Sequence, residues 1–435
     1  MRHWKTLSTS FATLCARLST TASMLIINGI AARRMTHEQF GFWSILFSLN
    51  LFANGLDFGF RFTLGNRLAA LGSRGAEGEE ERRQTFLTIL FLQVIIAAIG
   101  ILLVIVLFPF IPWARCFKIT DPALAAQVAR LMPAVTAVMI ACLPVALMWT
   151  VFFAYLEIKR ASFLTGFSNI LQTIIFAVVA FRLKFAGVIL VYFVYNLAVS
   201  VLLTSYVFLH RKWRFSLVPF QRSRAIIASM SRVSFHAFFL TLSAIVSQIL
   251  GPIISGAISG LAVAGDFTLI QKLFSSLATA HLAILAPLGP AVTREASAGN
   301  WDAVRRRLKV CVFQVWPALF ILLGGAIWWF HPLLILLWAG HPLREYPLAT
   351  LLLLWACLSG FLNTFSVFLN SLGLVKMQAA VSFAMILPSL LLPVFLSRWL
   401  GVPGIALSMV LCQLPGILIW PIYTRRALRL RMLLV

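Results

Sequence analysis

Two cations and a handful of other ionisable side chains interrupt long apolar stretches of this chain, and these are the residues whose chemistry needs an explanation. Arg17 lies about nine residues into the first apolar stretch, ~14 Å along a helix that rises 1.5 Å per residue, too deep for easy snorkelling. A permanent cation at that depth either faces a water-filled cavity, where its planar fork can hold a phosphate bidentately, or pairs with an acid on a neighbouring helix. Lys272 lies ~9 Å inside its own stretch, so it either shares that cavity or extends to the outer interface. Asp57 and Arg61, four residues apart at an inner end, suit a local ion pair that fixes the inner mouth, with substrate contact by Arg61 as the alternative. Asp266 lies at an outer end, and His236 and His281 are of the one residue type whose free side chain changes charge near neutral pH. With Asp57 these three are candidates for gating or ion coupling, and a structural hydrogen bond is the competing role for each histidine. Asn28, Asn54, Asn66, Gln248 and Gln271 suit either a sugar path or interhelical hydrogen bonds.

Enzyme chemistry finds no support. The sequence has no GxxxxGK[ST] phosphate loop, no HExxH and no GxSxG. Its six cysteines form no CxxC pair, so neither a disulfide framework nor a zinc site is expected. No catalytic residue, metal or cofactor is therefore assigned.

These side chains have to be positioned by membrane helices. Of 435 residues, 61% are hydrophobic and 11% charged, against about 25% charged in soluble domains. A soluble enzyme is excluded on that ground. Apolar windows long enough to span a bilayer begin near residues 8, 40, 85, 128, 163, 187, 233, 266, 310, 347, 378 and 403. The basic start at Met1–Lys5 is followed by a stretch holding Arg17 and many Ser and Thr, which reads as a retained first membrane helix and not a cleaved signal. The fold class is thus an all-α polytopic membrane protein of about twelve transmembrane helices.

The net charge of +24 would suggest nucleic acid in a soluble chain. Here it follows topology: 25 of the 36 Lys and Arg fall in one set of alternate loops, 9 in the other, and only Arg17 and Lys272 inside spans. The positive-inside rule then places both termini in the cytoplasm, with anionic lipid headgroups and not nucleic acid as the partners of the basic loops. The acidic run Glu77–Arg83 reads as a solvated loop. The longest basic loop separates an N-terminal six-helix bundle, residues 1–210, from a C-terminal one, residues 233–435, with residues 211–232 as a cytoplasmic linker. Such halves are common in transporters. Gly29 to Phe40 and Gly256 to Phe267 repeat one spacing at the ends of the first and seventh helices.

The first hairpin carries a more specific signal. Met35-Thr-His-Glu-Gln-Phe-Gly-Phe-Trp43, then Asn54-Gly-Leu-Asp-Phe-Gly-Phe60 and Asn66-Arg-Leu-Ala69, resembles the Wzx-type polysaccharide flippases, in which Glu-x-Phe-Gly-x-Trp precedes a second helix ending in Asp-x-Gly. The rest of the chain matches in helix number, inner-loop basicity and two-lobed layout. The pair Arg33 and Arg34 on the outer side departs slightly from the topology rule. The resemblance implies the MATE-like fold of the MOP superfamily, two six-helix bundles working by alternating access. It also implies an undecaprenyl-pyrophosphate-linked oligosaccharide as cargo, moved from the inner to the outer leaflet of a bacterial inner membrane for O-antigen or related glycan assembly, in the company of glycan polymerase and ligase machinery. Arg17 occupies a position similar to a cavity arginine of the related lipid II flippases. Arg17, Lys272 and Arg61 are the expected substrate-binding residues. A MATE-type multidrug exporter and a membrane glycan polymerase or ligase are the alternatives; the first would need cavity carboxylates and the second a long catalytic outer loop.

Overall fold

The computed structural model describes residues 2–72, 75–285 and 288–432. Helices account for nearly all of them, with no strand among the described residues. This is what a bilayer demands, because a helix satisfies its backbone hydrogen bonds internally. Contacts divide the chain into two compact units, Met1–Ile249 and Leu250–Val435.

The first unit begins with α1 (Arg2–Arg34), α2 (His37–Gly55), α3 (Phe60–Leu71) and α4 (Gly75–Leu107). It continues through the short α5 (Trp113–Cys116), α6 (Pro122–Val145), α7 (Met148–Ala154), α8 (Ile158–Arg182) and α9 (Phe185–His210). The helix α10 (Phe220–Ser259) starts in this unit and ends in the second. Thr36 opens α2 with a capping box: its side chain accepts from the Gln39 amide, and the Gln39 side chain accepts from the Thr36 amide. Behind that cap the Trp43 ring is fully buried among Phe176, Tyr192 and Phe193, with its indole N–H on Asn28 Oδ1 at 3.2 Å. Asn28 is therefore an interhelical tie, one of the two uses its type allows. A second core joins α3, α4 and α7 through Leu64, Phe86, Val151 and Trp213.

The second unit holds α11 (Leu261–Leu285), the amphipathic α12 (Leu288–Ser297), α13 (Trp301–Val310), α14 (Gly324–Ala339), α15 (Tyr346–Ser371), α16 (Val375–Leu400), α17 (Val402–Leu411) and α18 (Leu414–Met432). Two π-helical stretches, Cys311–Val315 and Ala318–Leu323, join α13 to α14. The ring of Phe320 fills the space above Gly360 of α15, where a Cβ would stand 2.2 Å from ring carbons.

Ten helices are long and apolar enough to cross a membrane among the described residues. The first two expected spans are not among them, although α1 and α2 are helical; in α2 the apolar run is diluted by Glu38, Gln39, Asn50 and Asn54. Outward faces confirm the solvent. Leu102 and Ile105 on α4, Phe163 and Phe181 on α8, and Leu391 and Trp399 on α16 are all more than half exposed, an arrangement stable only against lipid.

Two expectations change. Residues 220–232, read as part of a linker, are the opening turns of α10, because Pro219 ends the irregular stretch and nothing after it breaks a helix. The Glu77–Arg83 run is not a loop but the first turns of α4, where acids favour the positive end of the helix.

Candidate functional site

The motif that carries the resemblance is a helix break. Residues 56–59 of the motif separate α2 from α3, and Asp57 shapes the turn: its Oδ1 accepts from the Gly59 amide at 2.9 Å while Phe58 and Gly59 adopt left-handed φ values of 51° and 75°. Gly59 is required twice over. Its φ suits glycine, and a Cβ there would stand 2.1 Å from the Ser234 carbonyl oxygen on α10. The Thr63 and Ser234 hydroxyls bond at 2.6 Å beside it, and Gln93 of α4 donates to the Asp57 carbonyl at 3.0 Å. The turn is thus held from two helices.

Asp57 and Arg61 form the expected local pair, Nε to Oδ2 at 3.6 Å. The difference is that Asp57 stands in the turn and not on one continuous helix with Arg61. Arg61 Nε and Nη2 are buried and make no hydrogen bond.

Arg17 is exposed on α1, next to a band of polar ties that sequence reasoning passed over. Asn169 of α8 donates to Thr20 Oγ1 at 2.8 Å, Ser23 donates to the Asn169 carbonyl at 3.1 Å, and Gln172 donates to Asn196 of α9 at 3.1 Å. Hydroxyl and amide residues at i, i+3 and i+4 on α1 were the available signal. His236, also in this unit, is exposed, its Nδ1 2.6 Å from the Arg232 carbonyl one turn back.

In the second unit Lys272 is half-buried on α11, and Asp266 lies six residues earlier with His341 Nε2 at 3.8 Å from its Oδ1. His281 is fully buried, with Nε2 3.4 Å from Thr364 Oγ1 and its ring edge-on to Phe320. Its Nδ1 has no partner. Gln271 is buried, Asn66 exposed, and the side chains of Asn54 and Gln248 lie outside the described residues.

The acidic run also does more than solvate. Glu79 accepts hydrogen bonds from the Tyr155 hydroxyl and from the Trp213 indole, the latter at 3.0 Å, and pairs with Arg82 at 3.4 Å. Arg211 pairs with Glu157 at 2.5 Å and covers the Tyr155 ring. Arg83 reaches the Arg214 carbonyl at 2.6 Å and so fastens the 211–219 connection to α4. All six cysteines are free.

Ten spans, apolar outer faces and a two-unit helical layout define a multi-pass membrane protein. Its fold is that of the MOP superfamily transporters. An inward-facing multidrug resistance MATE family transporter matches with a TM-score of 0.73 at 15% identity, over 96% of this chain and 99% of that one. An outward-facing structure of such a transporter matches at 0.65 and 14%, over 98% and 96%. A MOP superfamily transporter from Pyrococcus furiosus, described by the reversed polarity of its binding pocket, matches at 0.63 and 13%, over 98% and 96%. A comparison with curated proteins finds no match. The profile of the polysaccharide biosynthesis protein family matches residues 7–293, and the chain belongs to that family. The resemblance of its first hairpin to the Wzx-type flippases is borne out.

Proposed function

We propose that the protein is a flippase that moves an undecaprenyl-pyrophosphate-linked oligosaccharide from the inner to the outer leaflet of the bacterial cytoplasmic membrane by alternating access, with both termini inside. Family membership supports a role in polysaccharide assembly and the MOP fold supports transport in place of catalysis. The observation that carries the choice of cargo is the charge inventory of the spans. Arg17 and Lys272 lie deep in their helices, whereas Asp57, in the turn after α2, and Asp266, near the start of α11, face Arg61 and His341. A cationic drug would need a carboxylate to receive it; a pyrophosphate needs cations. Desolvating a pyrophosphate and several sugars in hydrocarbon costs a few kcal/mol or more per unsatisfied group, and a wet cationic path removes that barrier while the polyprenyl tail stays in lipid.

In this reading Arg17 holds the pyrophosphate or an acidic sugar, assisted by Lys272 and Arg61. Asp57, Asp266, His236 and His281 serve gating or coupling. The test is surface glycan display in a deletion strain complemented with wild type, Arg17→Ala or Arg17→Lys. Loss of one charge-assisted contact, ~1.5–3 kcal/mol, predicts a fall of about ten- to a hundredfold in Arg17→Ala. Lipid-linked oligosaccharide should accumulate inside, and Lys should restore part of the display. Full display in Arg17→Ala would contradict the assignment.

A further inference from the structure

The second unit contains a cleft of about 550 Å³ that none of the residues discussed above explains. One wall is α13 and the π-helical stretch after it, which present Arg305, Lys309 and Phe313 at successive four-residue intervals. The facing wall is α18, which presents Pro421, Arg425 and Arg429 at the same intervals. Phe361 and Phe365 of α15, one turn apart, back the cleft with aromatic surface. Phe313 is 71% exposed at its edge, so an apolar group can lie across the opening.

The four cations converge without a counter-charge. Among the described residues, none of Arg305, Lys309, Arg425 and Arg429 pairs with a carboxylate. Asp302, three residues before Arg305 on α13, forms no ion pair with it, and Glu295 of α12 is committed to Arg307, on a different face of α13, at 2.7 Å. Like charges four residues apart repel on a helix. The α13 pair stands where helical structure continues, and so gains no compensation from a helix C-terminus. An arrangement of four unpaired guanidinium and ammonium groups against phenylalanine is complementary to a dense anion attached to hydrocarbon.

We propose that this cleft binds the headgroup of a membrane lipid carrying two phosphates, each phosphate held between a cation of α13 and one of α18, with the first methylenes of the lipid against Phe313 and Phe361. Basic clefts between membrane helices bind such headgroups by charge-assisted hydrogen bonds in a poorly hydrated setting. Two sources have this chemistry: a resident diphosphatidylglycerol and a polyprenyl pyrophosphate. The site stands on its own geometry and does not depend on the flippase assignment.

The test uses purified full-length protein, wild type beside Arg425→Gln/Arg429→Gln and Arg306→Gln, the last an exposed cation on α13 outside the cleft. Native mass spectrometry reads retention of diphosphatidylglycerol against phosphatidylethanolamine. Wild type and Arg306→Gln should hold the two-phosphate lipid, and the double variant should bind it at least about tenfold more weakly, with equal thermal unfolding of all three proteins showing that the fold survives. Competition with farnesyl pyrophosphate assigns the source: displacement indicates a site open to polyprenyl pyrophosphates, persistence a resident phospholipid. A second variant, Lys309→Gln, should weaken binding from the opposite wall. Equal retention by wild type and the double variant, or no preference over phosphatidylethanolamine, would overturn the proposal.

Discussion

At the scale of single residues, the best-defined feature is the turn between α2 and α3. Asp57 has two separable duties there, accepting from the Gly59 amide and opposing Arg61. Asp57→Asn keeps an acceptor for Gly59 and discards the charge, whereas Asp57→Ala discards both. The expected result is a larger loss of thermal stability in detergent for Ala than for Asn, the difference approaching ~1–3 kcal/mol for a buried donor left unsatisfied. Gly59→Ala should be worse than Asp57→Asn, since it strains φ and collides with Ser234. Equal unfolding temperatures for the three variants would mean that the turn is not held as described. The Asp57 and Arg61 pairing was legible from their spacing. That Asp57 occupies a turn was not, since an i, i+4 pattern reads the same whether a helix continues or breaks, and the break depends on the docking of Gly59 against α10.

Elements show the same division between what patterns reveal and what packing decides. Apolar length alone located the membrane helices, because hydrocarbon thickness fixes how many residues a span needs. It could not distinguish a charged loop from a charged helix start, which is why Glu77–Arg83 joined α4. Nor does it show that Arg305 and Lys309 line one cleft with Arg425 and Arg429, because basic residues beside a span read as a topology signal wherever they point; their matching four-residue intervals are the signal at hand. In the α13–α14 region, Phe320 depends on the absent side chain of Gly360. Gly360→Ala should destabilise by ~1–3 kcal/mol through overpacking, and Phe320→Leu in the same chain should recover part of that loss, as measured by thermal unfolding of the two single variants and the double. Additive losses would rule out the contact.

The α12–α13 corner offers a pH test at the same scale. The Arg307 guanidinium bonded to Glu295 holds that carboxyl below its ordinary value of 4.5. A carboxyl depressed in the folded state stabilises it above the unfolded pKa, and that contribution disappears as pH falls through the lower folded value. Hydrogen exchange over residues 288–310, corrected for its intrinsic pH dependence, should therefore be constant well above pH 4.5 and accelerate as the pH falls below it. Glu295→Gln should exchange faster at neutral pH and lose the acid transition. A transition unchanged in Glu295→Gln would assign it to another group.

For the whole molecule, the fold and the family were both within reach of the sequence. The span count and the basic inner loops follow from bilayer physics, and the hairpin motif adds the family. What the chain transports depends on how a few cations are presented, and side-chain exposure cannot be read from a one-dimensional pattern: Arg17 is exposed on α1, whereas Lys272 is half-buried on α11. In the function proposed above, cations of this membrane protein carry a lipid-linked, pyrophosphate-bearing glycan across the bilayer. The most direct measurement is translocation in proteoliposomes containing the purified protein and an undecaprenyl-pyrophosphate-linked oligosaccharide, with outward exposure read by a glycosidase that cannot cross the membrane. Wild-type protein should expose the inner-leaflet glycan well above the rate in protein-free vesicles, and Arg17→Ala should slow it by about ten- to a hundredfold. A wild-type rate equal to that of empty vesicles, or an undiminished rate in Arg17→Ala with no dependence on the pyrophosphate, would contradict the claim.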